Sequence, residues 1–498
     1  MRRPASLGEI LNGRLPTTLL VPLLLVPVVA IGAWVLATQG AHLRDFVVEY
    51  LPIIMFLSLG ALLFSGYPVA FILGGLAFLF GLIGYALGVF SPIEFFNFIP
   101  RIWGQAAENL VLVSVPTFIF MGVMMERSGI ARDMLYCCQV LLRRVPGALC
   151  LSVTVMGTIL AAMTGIIGAS VTMMTAMALP TMLRQRYNHG LACGSIAAAG
   201  TLGILIPPSI MLIIMADLMA VSVGSLFMGA LGPGLTLSAL YLLFIGTISA
   251  VRPELAPPLP PDLLNVPRKE KVPLVLKGFL PAAFLILLIK SSILFGFATP
   301  SEAGAVGAFG AVLLALARGR LGWENLKGVT QSSALTIGMI FFIVMSATCF
   351  AYVFRSLGGD DVVRNWILAA GLGSWGLLIL IMGIVFGLGF FLDWLEITLI
   401  VLPVFGPMVA GLDFGAHVPR ASVVHWFTIL LAVNLQTSFL TPPFGFALFY
   451  MKGLAPEEVR IQSIYRGIVP FVIIQLVGLV LVLAFPALAL WLPGVIYR

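Results

Sequence analysis

Apolar stretches of about 20 residues recur along the chain, separated by short segments that carry its charges. They fall near residues 17–38, 46–65, 68–90, 109–126, 190–216, 226–250, 278–296, 299–317, 330–354, 421–451 and 467–491. Each is long enough to cross a bilayer as a helix, whereas a membrane barrel would show alternating segments of about 10 residues. The pattern predicts an all-α polytopic membrane protein with about 11 crossing helices, since lipid tolerates no open sheet edge.

Two stretches do not fit as single crossings. Residues 145–183 hold 39 positions without a charge, bounded by Arg143/Arg144 and Arg184/Arg186. A straight helix of that length would run about 58 Å, roughly twice the hydrocarbon core. With arginines at both ends, the segment is predicted to enter and return on one side, turning at the glycine-rich "TGIIGAS" of 164–170. Residues 373–411 repeat the pattern around "GLGFFLDWLEIT" at 387–398, with Asp393 and Glu396 at the expected tip. A charge at that depth costs about 2.5–3.5 kcal/mol on insertion scales, so each acid needs a cavity, a partner or an ion.

Charge orients this layout. If both hairpins return to their own side, 20 of the 27 basic residues lie in segments on the N-terminal side of the membrane (2–14, 127–144, 184–186, 252–277, 318–327 and 452–466). Only Arg44, Arg101, Arg355, Arg364, Arg420 and Arg498 lie on the other, and Lys290 sits within a helix. The positive-inside rule then gives a cytoplasmic N-terminus and a periplasmic C-terminus. Either hairpin treated as one crossing would invert every later loop and spoil the asymmetry.

Composition agrees and excludes alternatives. The chain is 60% hydrophobic and 9% charged, with mean hydropathy +1.12, more apolar surface than a soluble fold can hide. The net charge of +7 comes from short loops, so it does not signal nucleic acid. The five cysteines fit no zinc or redox spacing and read as small apolar residues. The four histidines form no i, i+4 pair, and no phosphate-binding loop of the ATPase type occurs. No acid cluster or nucleophile arrangement suggests an enzyme. The stretch at 17–38 could be a leader cleaved near "ATQGA", but it exceeds the usual leader core, so a retained helix is expected.

The proline-rich 252–277 reads as a linker between two halves that share four landmarks in order. In the first half they are the tip at 164–170, "ALP" at 178–180, "GTLGILIPPS" at 200–209 and "FMGALGP" at 227–233. In the second they are "GFFLD" at 389–393, "VLP" at 401–403, "QTSFLTPPFG" at 436–445 and "YRGIVP" at 465–470. The predicted organisation is scaffold helices in 1–90, a first repeat over 91–251, the linker, further scaffold over 278–329 and a second repeat over 330–498. The bases of the two hairpins fall on opposite sides, which makes the repeats inverted.

The double prolines carry the candidate chemistry. Pro207 and Pro208 lack N–H groups and are expected to free the carbonyls of Gly203 and Ile204; Pro442 and Pro443 do the same to Ser438 and Phe439. Such breaks persist in a membrane where the backbone lines a cavity or binds an ion. Freed carbonyls beside the hydroxyls of Ser170, Thr172, Thr201, Thr437 and Thr441 are hard oxygen ligands suited to Na+. One packed kink would need no function; two at matching repeat positions, each with a glycine-rich hairpin, favour a site. The breaks and the hairpin serine (Ser170, Pro207, Pro208, Pro442, Pro443) are then the expected substrate-lining positions. Asp217 reads as a helix-end residue, and Glu302 as a partner for Lys290 across a helical turn.

Five segments resemble the large membrane subunit of tripartite ATP-independent periplasmic (TRAP) transporters, the DctM type. They are "PTFIFMGVMMERSGIA" at 116–131, "GASVTMMTAMALPTM" at 168–182, "GTLGILIPPSI" at 200–210, "ATPSEAGAVGA" at 298–308 and "VNLQTSFLTPPFGFALFY" at 433–450. The resemblance covers roughly 50–490. It implies an elevator-type secondary transporter in the bacterial inner membrane, without a cofactor. A Na+ gradient would drive uptake of a small organic acid, with a small DctQ-type membrane subunit and a periplasmic solute-binding protein as partners. Too few helices precede residue 50 for a fused small subunit. By position, Gly168, Ser170, Thr201 and Gly203 would fall in the first ion region, and Asp393, Asn434, Thr437 and Thr441 in the second. The chain departs from the family pattern at Met173, where an Asp is usual, at Glu396, an added acid, and in its extra N-terminal helix and linker. These departures are similar to a branch labelled for mannitol, chloroaromatic compounds or 2-oxo acids. The competing expectation is a stand-alone ion-coupled carboxylate transporter of the same architecture.

Overall fold

The computed structural model describes residues 41–63, 65–164, 167–260, 266–369, 371–390, 392–441 and 445–497. The expected helix at 17–38, the middle of the first hairpin tip and Pro442–Pro443 lie outside the described residues. Every regular element described is helical.

The helices are α1 (Ala41–Leu63), α2 (Val69–Ala86), α3 (Ser114–Arg127), α4 (Ile130–Leu142), α5 (Ala148–Thr164), α6 (Ile167–Arg184), α7 (His189–Thr201), α8 (Ile210–Leu218) and α9 (Val223–Val251). There follow α10 (Leu280–Leu294), α11 (Pro300–Ala317), α12 (Trp323–Ser356), α13 (Gly359–Ala369), α14 (Ser374–Leu388), α15 (Trp394–Ala410), α16 (Val423–Ser438), α17 (Phe446–Leu454), α18 (Ile461–Ala484) and α19 (Ala487–Ile496). Seven described segments are long and apolar enough to cross a membrane. The expected crossings at 190–216 and 421–451 are each two helices with a gap, and the crossing expected at 467–491 ends at Ala484, before Pro486, the N-cap of α19.

The chain divides into two units. The first takes residues up to 107 and 342–371. There α1 packs on α2 and on α13. Its 92–107 segment forms short helical turns around Tyr352, whose hydroxyl accepts from Asn97 Nδ2 at 2.9 Å and whose ring lies 4.3 Å below the Arg101 guanidinium carbon. Arg44 reaches the Leu87 carbonyl at 2.7 Å and ties the end of α2 to α1.

The second unit takes residues 108–341 and 372–498. Its closest scaffold pair is α3 against α11, where small residues (Ala303, Gly304, Gly307, Ala311, Ala315) form the buried stripe of α11. Without a hydrophobic drive between helices in lipid, this close backbone approach supplies packing energy instead. Arg318 at the end of α11 pairs with Asp133 of α4 at 2.6 Å. Glu302 does not pair with Lys290, contrary to expectation: it completes a capping box with Thr299 at the start of α11, its carboxylate accepting from the Thr299 N–H at 2.7 Å. A T-x-x-E box satisfies helix-end N–H groups locally, with no distant partner needed. Asp217 does stand at a helix end, accepting from Asn109 Nδ2 at 2.7 Å. All five cysteines are buried and free.

Two amphipathic helices, α4 and α13, were not legible as apolar stretches because charges interrupt them. Each follows a similar turn, Arg127-Ser128-Gly129 and Arg355-Ser356-Leu357-Gly358, with its glycine at φ +77 and +88. Only glycine takes that conformation without strain, and it re-aims the chain after a long helix.

The order α5–α9 matches α14–α18, and their packing is reciprocal. The second hairpin arm of each half lies on the outgoing half-helix of the other: α6 on α17, and α15 on α8. Likewise α7 packs on α18 and on α17, while α16 packs on α9 and on α8. Such exchanged contacts are what a two-fold relation between the halves requires.

Candidate functional site

The two interrupted helices are the innermost parts of the second unit. α7 is buried from Gly190 to Thr201, and α16 from Trp426 to Ser438. Polar atoms placed there must find partners within the protein or hold a ligand.

At the first break, α7 tightens into one 3-10 turn (Leu202–Ile204), runs without helix to Ser209 and resumes as α8. Every residue of 201–209 is buried, and the Pro207–Pro208 peptide is cis. Ser209 Oγ donates to the Ile204 carbonyl at 2.5 Å and accepts from the Leu212 N–H at 3.5 Å. The Ile204 carbonyl is therefore not free, as the proline argument alone required. One hydroxyl serves the carbonyl that Pro208 abandons and caps the helix that follows.

At the second break, α16 ends at Ser438 and α17 begins after Gly445. The Ser438 carbonyl is also taken, by the Thr441 N–H at 3.1 Å. The position matching Ser209 is Phe444, a side chain with no hydrogen-bonding atom.

The hydroxyls of the expected ion region share one habit. Thr172 donates to the Gly168 carbonyl at 2.7 Å, Thr201 to Ala198 at 3.0 Å, Thr437 to Val433 at 3.2 Å, Ser438 to Asn434 at 3.2 Å and Thr441 to Thr437 at 2.8 Å. Each hydrogen is directed into the helix, so the oxygen lone pairs form the outward surface. A hydroxyl so engaged accepts and does not donate, which suits a hard cation. Ser170 is buried near the start of α6, and Gly203 lies in the 3-10 turn.

The structure brings several of these residues together. Gln436 Nε2 donates to Thr201 Oγ1 at a long 3.5 Å, joining the two halves. Asn434 Nδ2 donates to the Met382 carbonyl of α14 at 2.7 Å, fixing α16 to the second hairpin. That hairpin's Gly389 stands so close to Ser438 that a Cβ there would overlap its side chain. Gly168, at the first tip, lies against the ring of Tyr450 on α17, and Tyr450 is within electrostatic range of Asp393 and Glu396.

Asp393 and Glu396 form a capping box on α15. Asp393 Oδ1 accepts from the Trp394 N–H at 2.8 Å, and Glu396 Oε2 accepts from the Asp393 N–H at 3.1 Å. Among the described residues neither forms an ion pair with a basic side chain. Both stand at the start of α15, the positive end of its dipole. Met173, where the family pattern has an acid, is buried and apolar.

Sequence reasoning missed Ser209, Gln436, Tyr450 and a matched pair, Thr175 and Thr398. Both threonine hydroxyls are buried without a hydrogen-bond partner among the described residues, as is Gln436 Oε1. Thr175 and Thr398 each stand five residues before the proline of "ALP" or "VLP", so the repeat spacing was the available signal.

Comparison with known proteins accords with this architecture. Residues 56–488 match the family model described as "Tripartite ATP-independent periplasmic transporter, DctM component". The chain is 29% identical over 392 residues to the C4-dicarboxylate TRAP transporter large permease protein DctM of Pseudomonas aeruginosa, covering 78% of this chain and 88% of that one. It is 25% identical over 434 residues to the sialic acid TRAP transporter large permease protein SiaM of Vibrio cholerae, covering 87% and 96%. Identity to the 2,3-diketo-L-gulonate TRAP transporter large permease protein YiaN of Escherichia coli is 27% over 378 residues, covering 74% and 83%. The fold is similar to a solved structure of the Alcanivorax borkumensis YdaH transporter, with TM-score 0.54 and 15% identity, covering 79% and 87%. These relatives are transporter permeases and not enzymes, and this multi-pass membrane chain belongs to the DctM component family of tripartite ATP-independent periplasmic transporters.

Proposed function

We propose that the chain is the large permease subunit of a Na+-coupled importer. It takes a small organic acid from a periplasmic solute-binding protein and works with a small membrane subunit. The two hairpins and two broken helices move as an elevator, with the N-terminus cytoplasmic and the C-terminus periplasmic. The observation that carries this reading is the set of hydroxyls on the first hairpin and at the breaks (Thr172, Thr201, Thr437, Ser438 and Thr441) whose hydrogens are all engaged by backbone carbonyls, with Thr201, Thr437 and Ser438 fully buried. Asp393 and Glu396 add two carboxyl groups, neither in an ion pair with a basic side chain among the described residues. Substrate-lining positions are Ser170, Pro207, Pro208, Pro442 and Pro443. The related permeases are named for C4-dicarboxylates, sialic acid and 2,3-diketo-L-gulonate, all carboxylates, which supports an organic acid without choosing one.

The test is uptake into proteoliposomes holding the chain and its small subunit, with loaded binding protein outside. Uptake should require an inward Na+ gradient and all three proteins. Transport by the chain alone would move it to the stand-alone class, and transport indifferent to Na+ would remove the ion assignment.

A further inference from the structure

A cavity of about 780 Å3 opens at one end of the second unit, apart from both breaks. Three segments wall it: the turn from α6 into α7, the end of α9 with the turn after it, and the first turns of α18. Its two sides differ in chemistry. The polar side carries the exposed guanidiniums of Arg186 and Arg466, with His189 and Ser463 beside them. Among the described residues neither arginine forms an ion pair. The one carboxylate in the wall is Glu254, so an excess of positive charge remains. Arg186 is held by a left-handed turn, φ 56, between the last turn of α6 and Asn188.

The apolar side is built from Phe244 and Ile248 of α9 and Pro470 of α18. Along the same two helices the outward surface stays apolar, with Leu243, Val469 and Ile473 exposed. Such residues belong against acyl chains. A basic pocket at a helix end, with exposed apolar residues along the same two helices, matches one ligand chemistry: an anionic headgroup with a hydrocarbon tail.

We propose that this cavity binds an anionic phospholipid. The phosphate lies between Arg186 and Arg466, and an acyl chain follows Phe244, Ile248 and Pro470. A free phosphate ion shares the headgroup chemistry but leaves the apolar side uncovered. The site matters because it spans both halves: Arg186 precedes α7, and Arg466 is on α18. Beside it these helices cross so tightly that a Cβ on Gly467 would overlap the Gly190 carbonyl. A lipid bound there pins that seam.

The experiment uses the full chain, purified and delipidated, and titrated with phosphatidylglycerol, phosphatidylcholine or inorganic phosphate. Native mass spectrometry reads retained lipid, and thermal unfolding reads stabilisation. Phosphatidylglycerol should be retained and should raise the melting temperature, while phosphatidylcholine does neither. Arg186→Gln and Arg466→Gln should each weaken retention about fivefold, and Glu254→Gln should strengthen it, a gain that misfolding cannot produce. Arg186→Lys with Arg466→Lys keeps both charges and should retain the lipid. Phosphatidylglycerol retention unchanged in the double glutamine variant overturns the site. Equal stabilisation by inorganic phosphate reassigns it to a free anion and overturns the lipid.

Discussion

Gln436 donates to Thr201 across 235 positions of sequence, the same interval that separates Pro207 from Pro442. Residues at equivalent repeat positions meet only where the two halves share an axis, and this contact places both breaks beside it. At 3.5 Å the bond is weak, and among the described residues the second amide atom of Gln436 has no partner. Gln436→Leu should therefore change stability by no more than about 1 kcal/mol. It should nevertheless raise the Na+ concentration needed for half-maximal uptake. Thermal unfolding beside a Na+ titration of transport checks both; unchanged Na+ dependence would leave Gln436 a packing residue.

Ser209 is the reverse case, a residue that holds structure. Ser209→Ala removes the donor to the Ile204 carbonyl and the cap of α8, and should destabilise by about 1–3 kcal/mol. Ser209→Thr keeps the hydroxyl and should recover most of the loss in an unfolding measurement.

Glu396→Gln separates two roles of one side chain. The amide oxygen can still accept from the Asp393 N–H, so the cap survives while the charge is lost. If the charge attracts the coupling ion, apparent Na+ affinity falls with little change in protein level in the membrane. Asp393→Ala should weaken Na+-dependent uptake further. Uptake kinetics unchanged in both variants would confine the pair to capping.

Thr175→Val and Thr398→Val replace buried hydroxyls that have no hydrogen-bond partner among the described residues by a group of the same shape. For a merely structural threonine the exchange is neutral or stabilising. Loss of transport together with unchanged or raised melting temperature is the expected result, and it marks hydroxyls kept for a ligand.

Asp413 lies in the loop before α16, where the Gly415 N–H first, and then Arg420, hold its carboxylate below the ordinary 3.8. A depressed folded value means stability that is present above the unfolded value and lost as pH falls through the folded one. Asp413→Asn should thus lower the melting temperature near pH 7, and the difference from wild type should vanish in strong acid. A difference that persists there would assign the effect to the side-chain amide and not to charge.

The sequence by itself determined most of the long apolar helices and both breaks, because each follows from local chemistry. An uncharged run of 39 residues between arginines cannot cross once, and paired prolines cannot continue a helix. Two helices, α5 and α6, occupy 148–184, and two more, α14 and α15, occupy 374–410, where one straight helix would have been too long to cross once. What the prolines release was only half legible. The carbonyls of Ile204 and Ser438 lose helical partners by local rule, yet Ser209 and the Thr441 N–H satisfy them through turns the rule does not describe. The capping box of Asp393 and Glu396 could have been read from its D-x-x-E spacing; the burial of Glu396, and the lack of a basic partner for either acid among the described residues, could not. Tertiary structure alone decided that α7 rests on α18, that Tyr450 meets Gly168, and that Thr201 finds Gln436. Hydropathy and turn chemistry act over a few residues, whereas which buried oxygens face one another is settled by how two distant halves pack.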